Sequence, residues 1–434
     1  MSTINGSEAA DVLLGTEQGD NISGNGGDDT IIALEGDDTL RGGAGNDILD
    51  GGPGDGDQVR YDRVFEPVDV DLAAGRAADG RGGTDSLLSI EDIRGSQFAD
   101  TIAGSDADNQ ILGGGDADLI LGGAGDDDLA GESGDGTSDT LAGLAGDDTI
   151  EGGPGDDRID GDDGVDTALY DGAFADYILT LSPDGVTVAD KRDGGTGTDR
   201  LSDMELLRFA DGAGFVAEDA VDLTALTGVA DLVPGDLARL CALYVANFDR
   251  APDALGLGYW GTRLSDGMAM EDIARSFSVQ TEFTSLYGSL EDVGAFVDAA
   301  YANLLEREAD AEGRAYWVET LESGALDAGT FILAFIDGAR GNPEATADVR
   351  TIEAKTGIAL RFAAEQGLND TDAAAEVMAR YAADDPVDSL AAALDLVDTY
   401  RAVAEAPDGT DPIVEIAGSA SKIVRRPFSS RAVV

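Results

Sequence analysis

The chain has 434 residues, enough for two or three domains, and carries 88 acidic against 27 basic side chains for a formal net charge of -61. That imbalance opposes nucleic acid and anionic lipid as partners and calls for cations. With no histidine and a single cysteine, Cys241, the sequence excludes Ser-His-Asp and Cys-His catalysis, the H-E-x-x-H zinc site and any disulfide framework.

Charge and glycine are unevenly spread. Residues 1–215 hold 50 acidic and 11 basic side chains and 43 of the 60 glycines, so two architectures meet near residue 220. The N-terminal stretch MSTINGSEAADVLLG lacks the basic start and apolar centre of a signal peptide. No apolar run approaches the roughly 20 residues of a membrane span.

From Gly6 the sequence reads in nines: GSEAADVLL, GTEQGDNIS, GNGGDDTII, ALEGDDTLR, GGAGNDILD. The sixth place holds Asp11, Asp20, Asp29, Asp38 and Asp47, and an aliphatic follows two residues later: Leu13, Ile22, Ile31, Leu40, Leu49. A second run from Gly95 puts Asp100, Asn109, Asp118, Asp127, Asp139, Asp148, Asp157 and Asp166 in that place. Three extra residues in GESGDGTSDTLA lengthen one loop before Asp139.

Each place has a physical task. Glycines such as Gly27, Gly36, Gly45, Gly125, Gly146 and Gly155 permit tight turns and let carbonyls converge on one ion. The Asp or Asn ends the loop with a hard oxygen. The aliphatic sits on a short strand and points inward, because alternate strand positions face opposite sides. Two units form one coil, so an ion fits between a loop and the loop two units on.

These units resemble the G-G-x-G-x-D-x-U-x nonapeptide of RTX proteins, best in Gly42–Asp50, Gly122–Ala130 and Gly152–Asp160. The resemblance implies a right-handed parallel β-roll holding several calcium ions. Its ligands would be Asp20, Asp29, Asp38, Asp47, Asp100, Asn109, Asp118, Asp127, Asp139, Asp148, Asp157 and Asp166 with the loop glycines above. Ala33-Leu34-Glu35, Asn109 and the unit GSEAADVLL depart from the pattern, and their sites are expected to be empty or of low affinity.

Residues 60–94 break the register. Val68-Asp69-Val70-Asp71-Leu72 and the run Leu87, Leu88, Ile90, Ile93 predict a β spacer between repeat block 1 (residues 1–59) and block 2 (residues 95–169). Residues 170–222 read as a β cap with a hairpin around Pro183-Asp184-Gly185, closing the solenoid's open end.

After Pro234 the period becomes 3.6: Leu237, Leu240, Cys241, Tyr244, Val245 and Phe248 share one helix face. A motif then recurs at an offset of 57 residues. Tyr244, Arg250, Asp253, Gly256, Tyr259, Trp260 return as Tyr301, Arg307, Asp310, Gly313, Tyr316, Trp317. The pattern R-x-P-D-x-x-G-L-x-Y-W resembles a helical domain of unknown function found beside RTX repeats in bacterial surface and surface-layer-like proteins. The fold class is therefore multidomain, β-roll then all-α, with the helical domain at residues 234–405.

Tyr259, Trp260, Tyr316 and Trp317 have two readings, a sugar- or partner-stacking face and ordinary helix core. Asp253 and Asp310 read as helix caps. Residues 406–434 read as a tail. Type I secretion substrates resembling this chain carry an uncleaved C-terminal signal, and the type I machinery is the expected export partner.

The sequence thus points to an extracellular or cell-surface calcium protein, not an enzyme, with a structural or adhesive role involving surface polysaccharide or copies of itself. The alternative is a secreted RTX enzyme acting on polysaccharide through carboxylates. A pore-former lacks a long apolar segment to insert.

Overall fold

The computed structural model describes residues 1–132, 136–288 and 290–417. Its chain divides into two compact units, one of Met1–Phe174 with Gly185–Leu223, the other of Ala175–Asp184 with the chain from Thr224.

In the first unit each nonapeptide gives a loop and a short strand, three residues long as in Thr30–Ile32 or six as in Thr39–Ala44. Successive strands alternate between two parallel sheets, so a unit pairs with the unit two places on. One sheet of eleven strands stacks Ile4, Ile22, Leu40, Val59, Ile93, Ile111, Leu129, Ile150, Ala168 and Leu207 in register. The facing sheet stacks Leu13, Ile31, Leu49 and Leu87, then Val70, Ile102, Ile120, Leu141, Ile159 and Leu201. Most of these side chains are fully buried, and together they are the core. It is a thin core. Burying one Ile or Leu contributes about 1.5–3 kcal/mol, whereas ordering a backbone residue costs about 1–2 kcal/mol and each unit orders nine.

The spacer continues the solenoid rather than interrupting it. Thr84–Leu88 extends the second sheet from Ile48–Asp50 in parallel, Asp69–Asp71 leads into Thr101–Ala103, and Arg76–Ala78 runs antiparallel between them. Asp92–Arg94 does the same for the first sheet, joining Gln58–Arg60 to Gln110–Leu112. The two repeat blocks are one roll.

The expected turn at Pro183-Asp184-Gly185 stands between the strands Tyr177–Ser182 and Gly185–Asp190. Gly185–Asp190 also pairs antiparallel with Thr198–Ser202, which lies on Arg158–Asp163, with a second turn at residues 191–197. Asp190 organises that turn, accepting from Arg192 N at 2.8 Å and Thr196 N at 2.9 Å. Tyr177–Ser182 belongs to the second unit, where it pairs in parallel with Ile413–Ile416.

That strand falls in the segment expected to be tail. Ile413, Val414 and Ile416 are buried, Val414 N donates to Gly367 O at 2.9 Å, and Arg401 pairs with Glu415 at 2.8 Å. Residues 418–434, the rest of the expected secretion signal, lie outside the described residues.

The second unit's helices are α1 (Pro234–Phe248), α2 (Ala254–Ser265), α3 (Met270–Ser278), α4 (Thr281–Tyr287), α5 (Val293–Leu305), α6 (Ala311–Glu322), α7 (Ala328–Gly341), α8 (Thr346–Ala359), α9 (Thr371–Ala379) and α10 (Pro386–Glu405). Pro234 opens α1, where its missing N–H costs nothing, and the predicted stripe from Leu237 to Phe248 is buried. Burial also pushes the Cys241 thiol up, so it stays a neutral core group.

The 57-residue repeat has a packing origin. Asp253 caps α2 through Gly256 N at 2.6 Å, and Asp310 caps α6 through Gly313 N at 2.8 Å. The Tyr244 and Tyr301 hydroxyls lie against those same glycines, leaving no room for a Cβ. Among the described residues no helix is long and apolar enough to cross a membrane.

Candidate metal centre

Folding turns the sixth-place residues into two carboxylate ladders. On one edge Asp20 N donates to Asp38 Oδ1 at 2.6 Å, Asp38 N to Asp57 Oδ1 at 2.8 Å, and Asp57 N to Glu91 Oε2 at 3.2 Å. That ladder resumes through Asn109, Asp127, Asp148 and Asp166 at 2.8 Å each, and ends on Glu205 Oε2 at 2.9 Å. The other edge runs Asp11, Asp29, Asp47, Asp85, then Asp100, Asp118, Asp139, Asp157, Asp199. Each carboxylate gives one oxygen to the N–H of the preceding rung.

The other oxygen decides what a loop can do. In Asp29, Asp38, Asp47, Asp57, Asp118, Asp127, Asp148, Asp157 and Asp166, Oδ2 is buried and meets no donor. A buried charged oxygen left bare is costly. Rows of bare anionic oxygens beside backbone carbonyls fit calcium, a hard cation that takes six to eight oxygens in flexible geometry. These nine residues would hold it, and the bound ion would supply the positive charge the loops lack. The loop glycines serve this crowding. Gly27, Gly36, Gly45, Gly125 and Gly146 have φ between 98° and 144°, while Gly155 is needed for space, since a Cβ there would collide with Thr137 O.

Three residues expected as ligands are placed differently. Asp20 receives Ser2 N on one oxygen and both Thr16 N and Thr16 Oγ1 on the other, at 2.6–2.7 Å. Asp100 is closed by Val68 N and Ser96 Oγ on one oxygen and by Ser96 N on the other. Asn109 accepts from Ser105 N at 2.7 Å and turns its amide Nδ2 onto Glu91 O at 2.7 Å, placing a donor where a cation's ligands would be needed. Asp11, whose unit departs from the pattern, is capped by Ser7 N and Oγ at 2.6 and 2.8 Å. The common signal is Ser or Thr in the second place of the loop instead of Gly, at Ser7, Thr16, Ser96 and Ser105.

Electrostatics separates the same two classes at the N-terminal end. The Ser7 N–H and the Thr16 hydroxyl hold Asp11 and Asp20 below the ordinary carboxylate range, whereas burial, then neighbouring carboxylates, raises Asp29 and Asp38 one coil later. Burial pushes Asp118 up to about 8, Asp57 and Asp127 up to about 7, and Asp157 and Asp166 up to about 6. Because these folded-state values are raised, the ion-free roll binds more protons than the unfolded chain, and its stability falls as pH rises from about 4 through about 8. In excess chelator, acidification from pH 8 to pH 5 should therefore increase the β signal in circular dichroism. No change would mean that charge repulsion is not what keeps the ion-free roll open.

Sequence reasoning missed Asp57, Asp85, Asp199, Glu91 and Glu205. Asp57 sits ten residues after Asp47 in GGPGDGDQV, one insertion off the period. Asp85, Asp199 and the two glutamates take their rungs only through folded register, far along the chain, and no local motif marks them.

The fold and ladders define the first unit as a β-roll built on calcium-binding repeats. Comparison gives the same class: the RTX calcium-binding nonapeptide repeat matches in four copies, at residues 5–40, 23–57, 94–129 and 133–168. Residues 274–340 match a second family, Domain of unknown function (DUF4214). The chain thus carries RTX calcium-binding nonapeptide repeats in its N-terminal part and a DUF4214 domain in its C-terminal part. Among solved structures it is similar to the extracellular lipase LipA from Serratia marcescens, with 18% identity over 46% of this chain and 37% of that one and a TM-score of 0.14. No curated protein matches.

The aromatic pairs are partly packed. Trp260 meets Phe277 edge-on at 5.3 Å, and Trp317 meets Phe331 and Phe335 at 5.4 and 5.8 Å. Tyr259 carries Arg263 over its ring at 4.7 Å. Tyr316 is 62% exposed and is the best placed of the four to meet a partner.

Proposed function

We propose that this is an exported, non-catalytic calcium protein whose roll folds outside the cell and serves a structural or adhesive role at the surface or in the matrix. The observation that carries the reading is the row of buried Asp Oδ2 atoms without donors. Ions bind at the bare loops, while the hydroxyl-capped turns at the head of each repeat block close without one. Extracellular calcium modules bind at roughly 10⁻⁴–10⁻³ M, so the chain stays open for export at cytoplasmic calcium and folds on release. The helical unit, with Tyr316 outermost among its aromatic pairs, supplies the contact to polysaccharide or to another copy. Washing producing cells with chelator should release the protein, and calcium should return it to the surface. Protein free in the medium in both conditions would overturn the surface role.

Export tests the C-terminal end separately. Deleting residues 418–434, which leaves the Ile413–Ile416 strand in place, should trap the chain in the cytoplasm with calcium binding intact. Normal export of that variant would place the type I signal elsewhere.

A further inference from the structure

We propose that the second repeat of the helical motif is a docking site for a turn of a partner protein, one that presents a backbone carbonyl and an Asn side-chain oxygen to Ala311 N and Glu312 N with basic residues beside them. This names the partner class for the contact assigned above to the helical unit, and rests on that assignment.

The two repeats are built alike. Asp249 and Glu306 end α1 and α5 in the left-handed region, at φ 50° and 54°. Arg250 Nη1 donates to Ala251 O at 2.9 Å, and Arg307 Nη1 donates to Glu308 O at 3.0 Å. They differ in what covers them. In the first repeat the chain itself closes the start of α2: Ala254 N donates to Leu368 O at 2.9 Å, Leu255 N to Asn369 Oδ1 at 2.8 Å, and Ala251 N to Ala374 O at 3.4 Å. The Asn369 amide is set for this by donating to Gly367 O at 3.1 Å and Pro412 O at 2.9 Å. Ala251 and Ala254 are fully buried beneath that loop.

Their counterparts 57 residues on, Glu308 and Ala311, are exposed, as is Glu312, the counterpart of Leu255. Among the described residues no protein group accepts from the backbone N–H of Glu308, Ala311 or Glu312. A cavity of about 680 Å³ opens beside them, bordered by Asp298, Ala302 and residues 306–309. The first repeat therefore shows which acceptors fit the donors that the second leaves open.

Open N–H groups at a helix start call for acceptors, and charge selects which kind. Arg307 is committed to Asp348 at 2.7 Å, Arg314 to Asp298 at 2.7 Å and Lys355 to Glu306 at 3.0 Å. Glu308 and Glu312 have no ion-pair partner among the described residues. A carboxylate or phosphate would meet their negative charge, so the fitting acceptors are neutral, as Leu368 O and Asn369 Oδ1 are, and the fitting flanks are basic. Tyr316, 62% exposed, follows Glu312 by four residues on the same helix face and offers its ring to the same partner.

Ala311→Pro removes one of the donors. Proline suits the first position of a helix, and Asp310, at φ -71° and ψ 155°, already has the extended backbone that a residue before proline prefers. The probe is a capped Lys-Gly-Leu-Asn-Lys peptide titrated into the full chain in calcium, followed by saturation-transfer NMR. It should bind the wild type and bind A311P about three- to tenfold more weakly, as the loss of one hydrogen bond requires, at an unchanged melting temperature. Glu308→Lys should turn the preference towards a Glu-Gly-Leu-Asn-Glu peptide. No binding to the wild type, equal binding to A311P, or a wild-type preference for the glutamate-flanked peptide would overturn the site. Self-association of the wild type that A311P abolishes, without peptide binding, would overturn it in favour of a second copy of the chain. The chelator wash tests the surface role without this peptide, so either reading can fail alone.

Discussion

Removing calcium from the full chain should unfold the roll and leave the helical unit intact. The ladders place like charges at strand spacing, about 4.8 Å. At an effective dielectric of about 20 each such neighbour costs on the order of 3–4 kcal/mol, more than the aliphatic of the same unit returns by burial. The roll cannot bear that load without cations, because its core is one side chain wide along each sheet. The helical unit has no such dependence. Its stripes bury Leu240, Tyr244, Phe277, Phe296 and Phe331 against one another, with edge-on ring contacts near 5 Å. Limited proteolysis is the direct measurement: in chelator, cleavage should spread through residues 1–174 and 185–223 while the helical unit survives, and millimolar calcium should protect both. A roll that resists protease in excess chelator would end the calcium-switch account. The transition should be cooperative, since each ion joins two stacked loops and one filled layer orders the next.

Much of this was legible because the nonapeptide assigns one task to each place. Asp in the sixth place and an aliphatic in the eighth fix loop, strand and inward face together, and Ile22, Ile31, Leu40 and Leu49 lie where that pattern puts them. What escaped was whatever depends on register formed by folding. Asp85 and Asp199 become rungs only after hairpins bring them back to the sheet. Asn109 looked like a ligand because it carries an oxygen, yet the geometry uses its amide hydrogens against Glu91 O. The nonapeptide pattern gives Thr16 and Ser96 no task, although they close the carboxylates of Asp20 and Asp100. The Ile413–Ile416 strand is too short to declare a period, and it is held by Gly367 and by Tyr177–Ser182, which no local pattern links to it. The tandem Tyr–Trp motif was visible as a repeat, but its cause, a tyrosine hydroxyl against a glycine that follows a cap, needed coordinates.

The two loop classes should respond in opposite ways to single substitutions. Asp118 belongs to the bare class: Asp100 N takes its Oδ1 at 2.8 Å, its Oδ2 has no donor, and it faces the charges of Asp100 and Asp139. Asp118→Asn removes a ligand and also a repelling charge. In calcium the variant should lose at least one ion, and at ten times the dissociation constant each lost ion removes about 1.4 kcal/mol of stability. In chelator the same variant should be no less ordered than wild type, because one source of repulsion is gone. Thr16 belongs to the capped class. Thr16→Val deletes the hydroxyl that serves Asp20 and should cost about 0.5–1.5 kcal/mol with the ion count unchanged. Calcium titrations of both variants, followed by circular dichroism and by ion counting, separate the cases. A lower ion count in T16V, or an unchanged one in D118N, would show that a bare buried oxygen is not what marks a calcium loop in this roll.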